Sequence, residues 1–159
     1  MLQRADIERL LDEKGCSYSV AEHPAVFSID ELYDYDIPDR DRIAKNLFLR
    51  DDKKRAYYII SIEGSAKADL KELRSLLSSR PLSFASEEDL QKLLKLSKGE
   101  ATPFGALNDE EHKVVVRIST FFRGGIIGVH PNTNTATVFL NTDDLLRILR
   151  DSSTDADYF

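Results

Sequence analysis

One cysteine, Cys16, and no tryptophan occur among the 159 residues of this chain. A lone thiol cannot close an internal disulfide and excludes a cysteine-based zinc site, which fits a reducing compartment. A nucleophilic role for Cys16 stays open beside the commoner one of inert packing residue. No apolar run approaches the roughly 20 residues of a membrane span. The opening MLQRADIERLLDEKG lacks the apolar core and cleavage site of a signal peptide, so a cytoplasmic protein is expected. Also missing are HExxH, P-loop, GxGxxG and CxxC patterns and any Ser-His-Asp set, which leaves no identifiable protein nucleophile.

What is present describes a folded domain. Hydrophobic residues make up 42% of the chain and charged residues 31%, ordinary globular usage for a length typical of one domain. The net charge of −6 argues at first against an RNA partner. Its distribution argues otherwise: residues 40–80 hold eleven Lys and Arg against six Asp and Glu. Phosphates respond to local potential because distant surface charges are screened, so a basic face on an acidic body suits a short piece of RNA. Scattered solvated charges are the equally open alternative.

Periodicity supplies the elements. Ile7, Leu10 and Leu11 at helical spacing, followed by Gly15, predict a helix over 4–14. SYSVAEH alternates like a strand, and Ser28 with Glu31 forms a capping-box pattern opening a short helix that Pro38 ends. AKNLFLRD and RAYYIISIEG read as a hairpin, ADLKELRSLL as a helix, PLSFA as a short strand, and Ser86 with Asp89 as the cap of EEDLQKLLK. KVVVRIS, IIGVH and ATVFL are strands, and Asn141 or Thr142 starts a last helix. This order predicts a single α+β domain with helices packed around a mixed sheet. The domain is expected to span 1–151, with 152–159 a flexible tail.

Three polar elements interrupt this apolar pattern at strand ends or edges, where a scaffold can present side chains to a cleft. Lys45-Asn46 combines a point charge with a neutral donor and acceptor, although strand-edge lysine also serves merely to block aggregation. Gly99-Glu100-Ala101-Thr102-Pro103 joins a permissive residue to a stiff one, so its N–H groups can surround a carbonyl oxygen; an ordinary loop has the same composition. Gly128-Val129-His130-Pro131-Asn132 places a histidine before proline, which favours extended backbone and aims the ring off the strand end. A structural histidine is the other reading of His130. His23 and His112 receive no role.

In order and spacing these three elements resemble the YbaK/prolyl-tRNA synthetase-associated domain superfamily of trans-editing proteins, and within it the freestanding alanyl-tRNA(Pro) deacylases. The resemblance spans nearly the whole chain. It implies a mixed, mostly antiparallel sheet surrounded by helices and hydrolysis of the ester in mischarged Ala-tRNA(Pro), without cofactor or metal, by a water positioned with the terminal ribose hydroxyl. Lys45, Asn46, Gly99 and His130 would then be catalytic. Ile29, Leu32, Tyr33, Glu100, Ala101, Thr102, Pro103, Gly128, Pro131 and Asn132 would bind the aminoacyl end, and Arg50, Lys67 and Arg80 the acceptor-stem phosphates. The implied partner is the acceptor end of tRNA(Pro), with prolyl-tRNA synthetase or an elongation factor as transient partners and neither membrane nor DNA. Removal of cysteine or another small residue is the sister specificity, and a noncatalytic module binding tRNA or synthetase is the alternative from another class.

Overall fold

Two short-range patterns begin the fold in the computed structural model, which describes residues 1–159. Helix α1 (Arg4–Glu13) buries Ile7 and Leu11, one turn apart, and stops before Gly15, whose φ of +68° suits the turn. Helix α5 (Thr142–Asp151) is capped by Asn141 and buries Leu145, Leu146, Ile148 and Leu149. Each such side chain contributes about 1.5–3 kcal/mol by leaving water.

The strands divide into two sheets. β1 (Tyr18–Glu22), β7 (Ala136–Asn141) and β6 (Ile126–Val129) form an antiparallel sheet in the order β1-β7-β6. β2 (Ala44–Asp51) and β3 (Tyr57–Glu63) form the expected hairpin within a mixed five-stranded sheet. Its order, β4-β2-β3-β5-β8, is completed by β4 (Leu82–Phe84), β5 (Val114–Ile118) and β8 (Ala156–Tyr158). Four strand pairings are antiparallel and two, β3 with β5 and β5 with β8, are parallel.

Both faces of the hairpin are covered, which explains its nearly continuous apolar runs. Ala44, Phe48, Tyr57 and Ile59 face the main core with Ile7, Leu11, Phe104 and the α5 leucines. Leu47, Leu49, Ile60 and Ile62 face Leu73 of helix α3 (Leu70–Leu77), which Asp69 caps. A third cluster joins Val26, Ile37, Ile43 and Phe139 to Leu32 of α2 (Ile29–Leu32). Ser86 caps α4 (Glu87–Asp89), which widens into a π-helical turn over Leu90–Leu94 and ends at Lys95.

The last eight residues are not a flexible tail, and the domain does not end at 151. β8 extends the sheet beside β5, with Val116 N–H donating to Asp155 O at 2.9 Å and Phe159 N–H to Ile118 O at 3.1 Å. Thr154 and Ala156 are buried. A three-residue strand containing Asp157 carries no local signal because its stability comes from β5. Truncation after Asp151 should therefore destabilise the protein by about 2–4 kcal/mol of lost burial and pairing. A melting curve should show a Tm lower by about 5–15 °C; an unchanged Tm would contradict the role of β8.

Candidate active site

The two sheets share the main core and are joined along the backbone by one isolated bridge. Ile43, just before β2, bridges Gly128 of β6, while β4 pairs with β2 only over residues 49–51. Between these points no strand covers the outer edge of β2 at residues 44–47. A cavity of about 340 Å³ lies there, lined by Ala44, Lys45 and Asn46 of β2, by Phe27, Ser28, Ile29 and Asp30 at the start of α2, and by Gly99 and Ala101.

Successive strand residues point to opposite faces, so Lys45 and Asn46 reach this edge cavity from either side of the sheet. The Lys45 ammonium donates to Ala66 O at 2.5 Å. Asn46 stands opposite Ser61 in the hairpin register, and the Ser61 hydroxyl donates to Asn46 Oδ1 at 2.5 Å. That contact leaves the Asn46 NH2 as the donor end of the amide. Ser61 is fully buried, so it fixes the rotamer of Asn46 from below.

The opposing loop is held tightly. Glu100 N–H donates to Ser97 O at 3.0 Å, and the Glu100 carboxylate accepts from Ser97 N–H at 2.8 Å. Gly99 has φ +84°, and a Cβ there would stand 2.9 Å from Phe27 Cδ1 and 3.0 Å from Phe27 Cα. Glycine is therefore required twice, by conformation and by packing on the α2 approach. The N–H groups of Gly99 and Ala101 have no acceptor within the chain. Fixed donors of this kind suit an oxygen on which negative charge develops.

His130 does not line the cavity. Its Nδ1–H donates to Ala136 O at 2.9 Å, which leaves Nε2 as the unprotonated nitrogen. Its own carbonyl accepts from the Thr102 hydroxyl at 2.6 Å, tying the fully buried Thr102 and hence the 99–103 loop to the three-stranded sheet. Burial pushes the imidazole below its ordinary range, the Ala136 carbonyl opposes this, and His23, with ring centroids 5.9 Å apart, adds to the lowering. The unfolded chain thus binds this proton more readily, so the contribution of neutral His130 is present above its ordinary pKa and lost as pH falls below it. Tm should drop between about pH 7 and pH 5 more steeply in wild type than in His130→Gln; equal slopes in a pH series of melts would refute this assignment.

Other expected site residues lie elsewhere. Glu100 and Asn132 line a separate cleft of about 480 Å³ beside residues 1–5, where the Asn132 amide donates to Leu2 O at 2.9 Å. Leu32 is in the core cluster under α2, Pro103 and Pro131 are buried, and Gly128 is packed between Phe139 and Ile43. The Tyr33 hydroxyl sits against Gly64, outside the cavity, with its ring under Arg40. Ile29 and Ala101 do line it. Among the expected phosphate contacts, Arg80 is held by both carboxylate oxygens of Asp52 at 2.6 and 3.0 Å, and Arg50 donates to Asp51 O. Lys67 borders a small pocket with Glu63 and Glu72 next to the Ala66 anchor. Sequence reasoning missed Phe27, Ser28, Asp30 and Ala44 as cavity residues, and Ser61 behind Asn46. Ser28 was visible only as a helix cap, and Ser61 only as the one aliphatic hydroxyl inside the apolar run YYIISIE.

Lys45, Asn46, Gly99 and Ala101 thus bring an ammonium, a primary amide and two backbone N–H groups without an acceptor to one small cavity. The chain belongs to the aminoacyl-tRNA editing domain family, whose model matches residues 23–148. It is 46% identical over 141 residues to the prolyl-tRNA editing protein ProX of Acetoanaerobium sticklandii, covering 88% of this chain and 86% of that protein. It is 35% identical over 147 residues to the mouse prolyl-tRNA synthetase associated domain-containing protein 1, covering 90% and 87% of the two chains. Among solved structures, the fold matches the protein APE2540 with a TM-score of 0.70 at 13% identity, covering 94% of this chain and 95% of that one. It also matches a candidate trans-editing enzyme for prolyl tRNA synthetase with a TM-score of 0.69 at 17% identity, covering 98% and 94%. No helix of the chain is long and apolar enough to cross a membrane.

Proposed function

We propose that this protein hydrolyses the ester of mischarged tRNA(Pro) in trans, with alanine as its favoured aminoacyl group. The observation that carries the reading is the convergence of Lys45 and Asn46 with Gly99 and Ala101 on one cavity. Family membership and the identity to a prolyl-tRNA editing protein support it. At about 340 Å³ the cavity lies at the low end of small-molecule sites, as a pocket for a short acyl group requires.

The chemistry needs no protein nucleophile. Water, aided by the terminal ribose hydroxyl, adds to the ester carbonyl carbon. The carbonyl oxygen takes up the negative charge beside the Gly99 and Ala101 N–H groups, while Lys45 and Asn46 orient the ester and its adenosine. Collapse of this intermediate breaks the C–O bond, and the leaving ribose oxygen takes a proton. His130 acts through Thr102 by holding the donor loop in place. The partner is the acceptor end of tRNA(Pro), with prolyl-tRNA synthetase or an elongation factor engaged transiently during delivery.

A separate editor answers a physical limit, since a synthetase pocket rejects a smaller apolar side chain by only about 1–3 kcal/mol. Purified protein incubated with Ala-, Cys-, Ser- and Pro-tRNA(Pro) should hydrolyse the alanyl ester fastest and spare the prolyl ester. Fastest loss of cysteine would assign the sister specificity. Rates no higher than spontaneous hydrolysis for every substrate would overturn the reading in favour of a binding module.

A further inference from the structure

At the far end of the β2–β3 hairpin from Lys45 lies a cleft of about 610 Å³ with a different character. Lys54 and Arg55 of the hairpin turn, Lys92 and Lys95 after α4, and Lys113 before β5 line it. These five cations face only Asp89 and Glu111, in a chain whose net charge is −6. Lys113 pairs with Glu111 at 2.7 Å, and Lys95 Nζ donates to Lys92 O at 2.8 Å. Lys54, Arg55 and Lys92 form no ion pair, in contrast to Arg80 with its Asp52 partner.

The cleft adjoins, through Lys95, a second cleft beside the loop of the candidate active site. Lys95 also borders the cleft of about 480 Å³, whose wall includes Ser97 and Glu100, on the other side of the loop that presents Gly99 and Ala101. The 97–101 loop thus stands between the cavity and a cleft that shares Lys95 with the basic one. Strand β2 advances about 3.3 Å per residue, so Lys45 and the hairpin turn are roughly 20 Å apart, a span that a few unpaired nucleotides cover. A polymer whose aminoacylated end occupies the cavity would bring its next backbone phosphates to these cations.

We propose that the cleft formed by Lys54, Arg55, Lys92, Lys95 and Lys113 is the docking surface for the acceptor-stem phosphates of the RNA whose 3′ end enters the cavity. The identity of the ligand rests on the editing function proposed above. Contacts of this kind give affinity and orientation without reading bases. They replace Arg50, Lys67 and Arg80 as the principal phosphate contacts, with Arg50 opposite Tyr57 of the cleft wall in the hairpin register.

The backbone provides a clean test. Lys54 and Lys95 have φ of +54° and +58°, where glycine is preferred to any ordinary side chain, so Lys54→Gly and Lys95→Gly remove cations without harming the fold. The full-length triple variant Lys54→Gly/Lys92→Ala/Lys95→Gly is compared with wild type for binding of uncharged tRNA(Pro) by fluorescence anisotropy across a salt series. Its hydrolysis of 3′-alanyl-adenosine, too small to reach the cleft, is measured in parallel. The variant should bind tRNA about tenfold or more weakly, with a log K against log salt slope shallower by about 2–3, at roughly 0.9 per lost phosphate contact. Its Tm and its rate on the small ester should match wild type. Wild-type affinity and slope in the variant would overturn the proposal, as would a parallel fall in small-ester hydrolysis. A wild type that binds tRNA through these lysines but cleaves neither ester would sink the deacylase reading and leave the docking surface standing.

Discussion

Lys45→Ala should lower deacylation of Ala-tRNA(Pro) by about two orders of magnitude or more, the usual effect of losing a group that holds the reacting ester in position. The fold should survive. Lys45 is half-buried at an open cavity, and the only hydrogen bond lost is to Ala66 O, which water can replace. Far-UV circular dichroism and Tm should therefore stay near wild type while the rate collapses. Lys45→Met retains the aliphatic stem and removes only the charge, so it should be as inactive as the alanine variant. Lys45→Arg should recover a minor part of the rate, because a planar fork cannot occupy the position of a compact ammonium. An active, well-folded Lys45→Ala protein would remove this residue from the mechanism.

Gly99→Ala should damage stability and rate together. The added Cβ meets Phe27 at 2.9 and 3.0 Å and Val26 O at 3.1 Å, at a backbone φ of +84°. Left-handed backbone alone costs about 1–2 kcal/mol for an L-residue. The crowding must further move the loop or the Phe27 segment, and a displacement near 1 Å of groups facing the reacting carbonyl costs about 100-fold in rate. Gly124→Ala is the matched control: φ is +76°, but nothing lies within 4 Å of its Cβ. It should show the stability loss without the loss of rate. If denaturant titrations and single-turnover rates were the same for the two variants, the placement of the Gly99 and Ala101 N–H groups would be irrelevant to turnover.

The sequence and the structure agree most closely where the physics is local. Ser28, Ser86 and Asn141 cap the helices they precede because a cap joins residues two or three positions apart. The β2–β3 hairpin was legible from its apolar runs and polar turn. The three polar elements were legible as departures from apolar periodicity, and their order marked the family. The roles within them were less so. Glu100 follows Gly99 in the chain, yet it turns into the adjacent cleft and serves as a brace for the loop. His130 is one residue from a strand end, as expected, but its ring turns inward to Ala136, and only its backbone carbonyl, accepting from Thr102, reaches the 99–103 loop.

From the residues alone came the α+β class, the elements, and the pairing of a cation with an amide at Lys45-Asn46. Each follows from side-chain period, capping or composition, which act over a few residues. Tertiary structure decided that the strands form two sheets, that residues 156–158 join one of them, and that the exposed edge of β2 becomes a cavity. It also gathered lysines from three distant segments into a single basic cleft and consigned Leu32, Pro103 and Pro131 to the interior. Those outcomes depend on pairings between residues far apart in the chain, such as Ile43 with Gly128 and Val116 with Ala156, whose energies arise only once the intervening segments have folded.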